Sequence, residues 1–594
     1  MTTDTRPTKS PLTDATPTSP AASSPITHER VSNTDAMDRA LHAAEAKFTA
    51  GLSPVGLALA WRDWAVHLAN QPARRMDLAR RAMEDWAAIG RIALGVAEPR
   101  VPPCPNDHRF THPRWDEMPY RLYREQFLRA ERWWHEATTG IAGVDPAHER
   151  IVDFMARQAL DAIAPSNSAL LNPEVTDAAR TSQGQSVRDG LKNFIQDSAV
   201  AMRRHKKLPL EPGRDVAVTP GRVVYRNRLI ELIQYAPPTK TVRPEPVLIV
   251  PAWIMKYYIL DLSPGNSLVR YLTGQGYTVF MMSWHNPNAA DRDLSLDDYR
   301  SDGVMAALDA VSAITKAKKI HATGYCLGGT LLSIAAAAMA RDNDNRLASL
   351  SLFAAQTDFT EAGELQLFIT EAQLAFLEDL MWRQGYLDTT QMAGAFQMLR
   401  SNDLIWSRMI RRYFIGEQEH PNDLMSWNED ATRMPYRMHA EYLRHLFLHN
   451  DLAEGRLHAG GQPVAISDIT VPIFVVGTER DHIAPWHSVY KMHMLNRGPI
   501  TFVLTSGGHN AGIVSEPGHP HRYFSIRYRA PDERYLAPED WQREAAPKDG
   551  SWWPEFVNFL DAHSGEAVAP PPIGREEAGY PALEAAPGHY IHEM

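Results

Sequence analysis

KIHATGYCLGGTLLSIAAAAMA, Lys319–Ala340, brings a strand, a sharp glycine turn and a helix together around one cysteine. Ile320, Ala322 and Thr323 read as the end of a buried strand, and Leu331, Leu332 and Ile334 open an apolar helix that runs to Met339. Cys326 sits at the turn between them. Gly324-Tyr325-Cys326-Leu327-Gly328 has the G-x-nucleophile-x-G form, in which the nucleophile occupies a strained backbone and small neighbours let strand and helix approach. The unpaired N–H groups and dipole of a helix N-terminus favour a thiolate, so this place activates the sulfur as well as exposing it. The bland alternative is a buried thiol beside a tight turn; strand, elbow and helix in the required order argue against it.

Outward from the elbow, strands and helices alternate. Upstream, RVVYRNRLIELIQYAP (Arg222–Pro237) reads as two adjoining strands, and PVLIVP (Pro246–Pro251) is the continuous apolar run of a central parallel strand. Ser267–Leu272 follows as a helix, YTVFMMSW (Tyr277–Trp284) as a strand and Asp297–Thr315 as an amphipathic helix. Downstream come the strands SLSLFAA (Ser349–Ala355), ITVPIFVVG (Ile469–Gly477) and PITFVLTS (Pro499–Ser506). The fold class is α/β, an α/β-hydrolase fold over residues 216–565. A long insert at about 360–457, rich in Met, Leu, Phe and Trp and without strand alternation, is expected to form a helical cap over the site.

The chain before this domain reads as helical over 36–215. Leu57, Trp61, Trp64 and Leu68 line one helix face, Pro72 ends or kinks that helix, a second run covers Tyr120–Trp134 and a third Arg180–Arg204. Its tryptophans suit core or interface packing better than a lipid- or polymer-facing surface. Residues 1–35, rich in Thr, Ser and Pro, are expected to be disordered, and 566–594 to form an extended tail.

A chain of 594 residues is too long for one ordinary domain, and a net charge of -10 argues against nucleic acid as the main partner. Only Cys104 and Cys326 are cysteines, so no disulfide framework or cysteine metal cluster is expected and a reducing cytoplasm is the natural home. With no signal-peptide core and no segment of bilayer-spanning length, integral membrane contact is not expected.

An elbow cysteine needs a base, and the base needs a partner that holds its tautomer. In this fold the order is nucleophile, acid, histidine, with acid and histidine on loops after late strands. Asp481 follows the strand IFVVG in Thr478-Glu479-Arg480-Asp481-His482-Ile483, and His509 follows TFVLTS through Gly507-Gly508. Among 24 histidines, His482, His519 and His521 lie nearby, but only His509 follows directly on a strand through a glycine pair. Asp358 also ends a strand, yet it precedes the cap. Backbone donors for an oxyanion are expected at Leu327, after the nucleophile, and in Pro251-Ala252-Trp253, with the Trp253 N–H favoured. Thiol attack on a thioester keeps the acyl group at high transfer potential. This favours an acyltransferase acting on coenzyme A thioesters, while a thioesterase or lactone hydrolase stays chemically admissible.

With these residues in view, the chain resembles the polyhydroxyalkanoate synthases from about Ala36 onward. GYCLGGT, Asp481-His482-Ile483 and Gly508-His509 match that family's motifs, as do LIQYAP, KYYILDL, Asn402-Asp403-Leu404 with Trp406, Trp427-Asn428 and GSWWP at Gly550–Pro554. The helical region adds Asp107, Arg109, Phe110, Trp115, PSN at Pro165 and NPE at Asn172. Departures are Ala252 and Met255 in Pro251–Lys256, where members commonly carry P-P-x-I-N-K, and Asn510 where an aliphatic residue is frequent. The length is similar to the single-subunit type, class I. The resemblance implies polymerisation of (R)-3-hydroxyacyl-CoA, with 3-hydroxybutyryl-CoA the best guess, through an acyl-Cys326 intermediate with release of CoA. It implies no cofactor or metal, since CoA belongs to the substrate and the leaving product. It further implies a homodimer on the surface of cytoplasmic polyester granules, in contact with the growing chain. A Cys-dependent thioesterase or ester hydrolase, and a non-catalytic granule-associated protein, are the alternatives.

Overall fold

The computed structural model describes residues 33–594 apart from 47–48, 50, 97, 105–106, 202–207, 209, 390, 392–404 and 419–421. Its centre is β3 (Val247–Val250), whose four apolar residues are all buried. It pairs in parallel with β4 (Val279–Trp284) on one side and with β5 (Ile320–Tyr325) on the other. Both faces of such a strand are covered by helices, which is why its sequence is apolar without alternation. β6 (Leu347–Phe353), β7 (Ile473–Thr478) and β8 (Ile500–Thr505) extend the parallel series. On the other edge β1 (Gly221–Arg226) and β2 (Ile230–Tyr235) form an antiparallel hairpin that joins β4.

The ten-stranded sheet is completed by two antiparallel strands beyond β8, β9 (Tyr523–Arg529) and β10 (Pro547–Asp549), which the sequence pattern does not reveal. Between β4 and β5, Leu296–Asp298, a π-helical turn at Tyr299–Met305 and Ala306–Thr315 run on continuously over the expected helix.

The helical region consists of α1 (Asn33–Glu45), α2 (Pro54–Ala69), α3 (Pro72–Ala93), α4 (Tyr120–Thr138), α5 (Pro146–Ala162), α6 (Pro173–Thr181) and α7 (Gln185–Ala201). Pro72 opens α3, a first-turn place where its missing N–H costs nothing. Two expectations are corrected. Helix begins at Asn33, inside the stretch read as disordered, of which residues 1–32 lie outside the described residues. Arg180–Arg204 is not one helix: Gln183 (φ 52°) and Gly184 (φ 85°) turn left-handed and separate α6 from α7, and its last three residues lie outside the described ones. Packing accounts for most of the tryptophans. Trp61 and Trp64 lie against Ile151 and Val152 of α5, Trp64 Nε1 donates to Ala137 O and Trp133 Nε1 to Leu78 O, each at 2.9 Å, and Trp115 is buried. Trp86 is the exception, 67% exposed.

These helices grip the cap. Ala43 of α1 and Ala46 just after it pack on Phe376 and Leu380 of α12 (Glu371–Gln384; α8 to α11 being Leu268–Gly274, Leu296–Asp298, Ala306–Thr315 and Leu327–Arg341), and His42 Nδ1 lies 2.7 Å from Asp379. Gly190 of α7 lets the backbone at Tyr413 approach so closely that a Cβ there would sit 2.0 Å from its carbonyl oxygen. Asp197 then pairs with Arg412 at 2.6 Å. Among its described residues the cap is mainly helical and includes a two-residue antiparallel pair between Tyr386–Leu387 and Met434–Pro435. Asn402-Asp403-Leu404 lies outside the described residues.

The last residues cross the β1–β2 edge. Val568 exchanges backbone hydrogen bonds of 2.8 Å with Val242, Ala586 N donates to Gly221 O, and Tyr590 and Ile591 are buried. Among the described residues no helix is long and apolar enough to cross a membrane.

Candidate active site

The elbow exists because three glycines allow it. A Cβ on Gly328 would meet Val250 O at 2.2 Å, one on Gly324 would meet the Gly329 Cα at 2.3 Å, and one on Gly329 would meet the Ala355 Cβ at 2.5 Å. Helix α11 therefore starts directly against β3, β5 and the end of β6. Cys326, its N-cap residue, is forced to φ 52° and ψ −126°, a conformation an L-residue adopts only under constraint. Its N–H is held by Phe353 O at 2.9 Å.

Asp481 and His509 meet beside this cysteine, on loops that leave the adjacent parallel strands β7 and β8. His509 Nδ1 lies 2.8 Å from Asp481 Oδ2, both side chains being buried. Asp481 is itself fixed: Thr478 Oγ1 donates to Oδ2 at 2.8 Å, and the Ile483 and Ala484 N–H groups donate to Oδ1 at 2.9 and 2.8 Å. Burial opposes the carboxylate, but His509 and these donors outweigh it and hold the group below its usual value. Burial likewise opposes the imidazolium, while Asp481 and Cys326, by charge and hydrogen bond, lift His509 well above the ordinary histidine range. Asp481 and Cys326 thus both favour a proton on His509.

The other candidates lie elsewhere. Asp358 faces Lys491 at 3.3 Å, His519 pairs with Glu516 at 2.8 Å, His521 stands on the surface, and the His482 carbonyl accepts from Glu364 N. Leu327 is the first residue of α11, so its N–H has no partner within the helix. Trp253 lies in the loop after β3, whose Pro251 carbonyl abuts Gly328. The Trp253 ring packs edge-on against Tyr299 and Tyr442, so the side chain serves packing and any donation to an oxyanion falls to its backbone.

Several motif residues support the site from behind, where sequence alone gives no geometry. Trp552 and Trp553 donate through Nε1 to Gly512 O and Ile513 O at 3.1 and 3.0 Å, bracing the loop that carries His509. Asn510 accepts from Tyr325 OH at 2.6 Å and donates to Asn428 Oδ1 at 3.2 Å, so this departure links elbow, histidine loop and cap. Lys256 turns away from the elbow: its Nζ donates to Tyr590 O and Glu593 O at 2.7 and 2.8 Å. Met255 pairs with Ala431 across an isolated bridge.

The same tail residue, Glu593, accepts from His285 Nδ1 at 2.7 Å, and Asp291 lies 3.2 Å from Nε2. Burial works against a charged His285, but hydrogen bonds and charge from these two carboxylates raise it to about 9. A histidine whose folded value exceeds its unfolded ~6.5 contributes stability that is fully present below that pH and lost as pH rises through the folded value. H285Q is therefore expected to be less stable than the parent by about 1–2 kcal/mol below pH ~6.5, a full shift being discounted for partial exposure. The gap should close as pH passes about 9. Paired thermal melts across this range check it.

Cys326 opens on a cavity of about 160 Å³ beneath the cap. Leu365, Leu377, Leu380, Leu443 and Phe447 of the cap make most of it apolar. The chain can therefore seat a largely apolar acyl group at a nucleophile with its base and acid in place.

Comparison with known proteins agrees with this geometry. Residues 32–74 match the family described as poly-beta-hydroxybutyrate polymerase N terminal, residues 106–272 the poly-beta-hydroxybutyrate polymerase (PhaC) N-terminus, and residues 245–516 the alpha/beta hydrolase fold. A poly(3-hydroxyalkanoate) polymerase of Methylorubrum extorquens is 39% identical over 513 residues, 85% of this chain and 84% of that one. Poly(3-hydroxyalkanoate) polymerase subunits PhaC of Rhizobium etli and Cupriavidus necator are each 35% identical, over 88% of this chain and 84% and 88% of theirs. Such identity over more than four-fifths of both partners, joined to matches from the first helix to the histidine loop, means that this chain belongs to the poly(3-hydroxyalkanoate) polymerase family.

Proposed function

We propose that the protein polymerises (R)-3-hydroxyacyl-CoA, with 3-hydroxybutyryl-CoA as substrate, through a covalent acyl-Cys326 intermediate. The observation that carries the reading is an elbow cysteine, paired with a buried His509–Asp481 couple, at the mouth of an apolar cavity under the cap. His509 takes the Cys326 proton and the thiolate attacks the thioester carbon, with the Leu327 and Trp253 N–H groups donating to the oxyanion. The carbon–sulfur bond to CoA breaks, and CoA leaves with the proton from His509. The 3-hydroxyl of a second unit then gives its proton to His509 as its oxygen attacks the acyl carbon. An ester bond forms, the acyl–cysteine bond breaks and the thiol is restored. Asp481 holds the imidazole tautomer and stabilises its charged form. CoA arrives with the substrate and departs, so the cycle needs no cofactor. The apolar cap keeps water from the acyl-enzyme, whose hydrolysis would release a free hydroxy acid.

The test mixes purified protein with 3-hydroxybutyryl-CoA, follows CoA with a thiol reagent and separates products by size. High-mass polyester with CoA release supports the reading; CoA release with only free 3-hydroxybutyrate replaces it by a thioesterase.

In this reading the protein works as a homodimer at the surface of cytoplasmic polyester granules. Support for the surface comes from α7, where Val187, Leu191, Phe194 and Ile195 share one helix face and are each more than half exposed. Burying the exposed half of such side chains in polymer is worth ~1 kcal/mol each. L191E/I195E is expected to lower the granule-bound fraction more than ~10-fold in a sedimentation assay, with unchanged turnover of soluble substrate.

A further inference from the structure

The cavity wall carries a polar group that the reaction above does not use. Most other polar side chains there are committed to protein partners. Thr330 Oγ1 donates to Gln356 O, and Gln356 Nε2 to Ser488. Gln373 accepts from Ser53 N and donates to Gly51 O, and Gln391 Oε1 accepts from Asp388 N and Gln384 Nε2. His439 differs. It lies on the cap helix Tyr436–Tyr442, lines the cavity and is 5% exposed. Its Nδ1 is buried without a hydrogen-bond partner among the described residues. Tyr442, one turn further on the same face, stands 5.8 Å away ring to ring.

Burial alone holds His439 down to about 3, so the ring is neutral wherever the enzyme would operate. A neutral imidazole carries one N–H and one bare nitrogen. An N–H on the buried Nδ1 would be an orphaned donor, the rarer and costlier arrangement. The favoured tautomer leaves Nδ1 bare and puts the proton on Nε2, where a molecule in the cavity can accept it. Every unit of a 3-hydroxyacyl chain carries a carbonyl oxygen, an acceptor, between apolar segments that suit the rest of the wall.

We infer that His439 is a substrate-binding residue whose Nε2–H donates to an ester or thioester carbonyl of the acyl chain seated in the cavity, fixing its register relative to Cys326. This rests on the polymerase reading above. It also explains why an apolar cap tolerates a histidine whose Nδ1 has no hydrogen-bond partner among the described residues: removing it would ease folding and weaken substrate binding.

H439F fills the space without a donor, and H439Q restores one. For H439F the expected result is a ~3–10-fold fall in kcat/KM for 3-hydroxybutyryl-CoA, the effect of one neutral hydrogen bond, carried mainly by KM. Its Tm should equal or exceed that of the parent, and H439Q should recover most of the loss. Wild-type kcat/KM in H439F overturns the inference, as does a loss that tracks a lowered Tm and is not recovered in H439Q. Should the parent itself form no polyester, the polymerase reading fails first and this inference with it.

Discussion

Cys326→Ala is expected to form no polyester and release no CoA above background, a loss of at least ~10⁴-fold, since a nucleophile acting as one unit with its base leaves only binding and oxyanion contributions behind. The fold should survive. Alanine meets the same positive φ as cysteine, the surrounding glycines are untouched, and one sulfur atom is removed from a side chain already 9% exposed. Intact-mass measurement after mixing with substrate separates the cases: the parent gains an acyl adduct, the variant gains none, and both melt within a few degrees of each other. Cys326→Ser should recover little, because a serine ester is a poorer acyl donor than a thioester and its hydroxyl does not ionise beside His509. Appreciable polymer from the alanine variant would remove Cys326 from the nucleophile role.

How much of the molecule is legible in its sequence depends on how local each signal is. The elbow is legible because Gly324, Gly328 and Gly329 are demanded by contacts within a few residues and one strand away. Asp481 and His509 are legible because each directly follows a buried strand, so strand recognition places them. The π-helical turn at Tyr299–Met305 and the break at Gln183–Gly184 change backbone geometry without changing apolar periodicity, so periodicity does not reveal them. β9 escapes notice although YFSIRYR carries aromatic and β-branched residues, because its exposed tyrosines blur the alternation. Lys256 and the tail, 334 residues apart, meet through backbone carbonyls that no side-chain pattern encodes. His439 is one of 24 histidines, on a short helix, and only its place in the cavity wall distinguishes it.

Arg109→Met tests the opposite end of the molecule and should destabilise the fold more than any of the substitutions at the active site or the tail. The guanidinium reaches Asp107 at 2.8 Å, Glu131 at 2.8 Å and Asp161 at 2.6 Å, all buried, and lies 5.0 Å above the Phe127 ring. Burial pushes the Asp161 carboxyl up despite this cation. Taking the cation away leaves three carboxylates facing one another in a dry pocket, and breaking a buried pair from one side costs about 3–5 kcal/mol, against total stabilities of about 5–15 kcal/mol. Lysine should not rescue it, since a point charge cannot serve three acceptors as a planar fork does. Arg109 does not touch the reacting atoms, so its effect on chemistry must travel through structure. Because α5 borders the cap segment Gly363–Phe368 and α1 packs on α12, loosening the helical region loosens the lid over Cys326. The product should therefore shift from polyester toward free hydroxy acid while CoA release persists, with unfolding in urea displaced by the stated amount. Loss of both products in a variant as stable as the parent would assign Arg109 a different role.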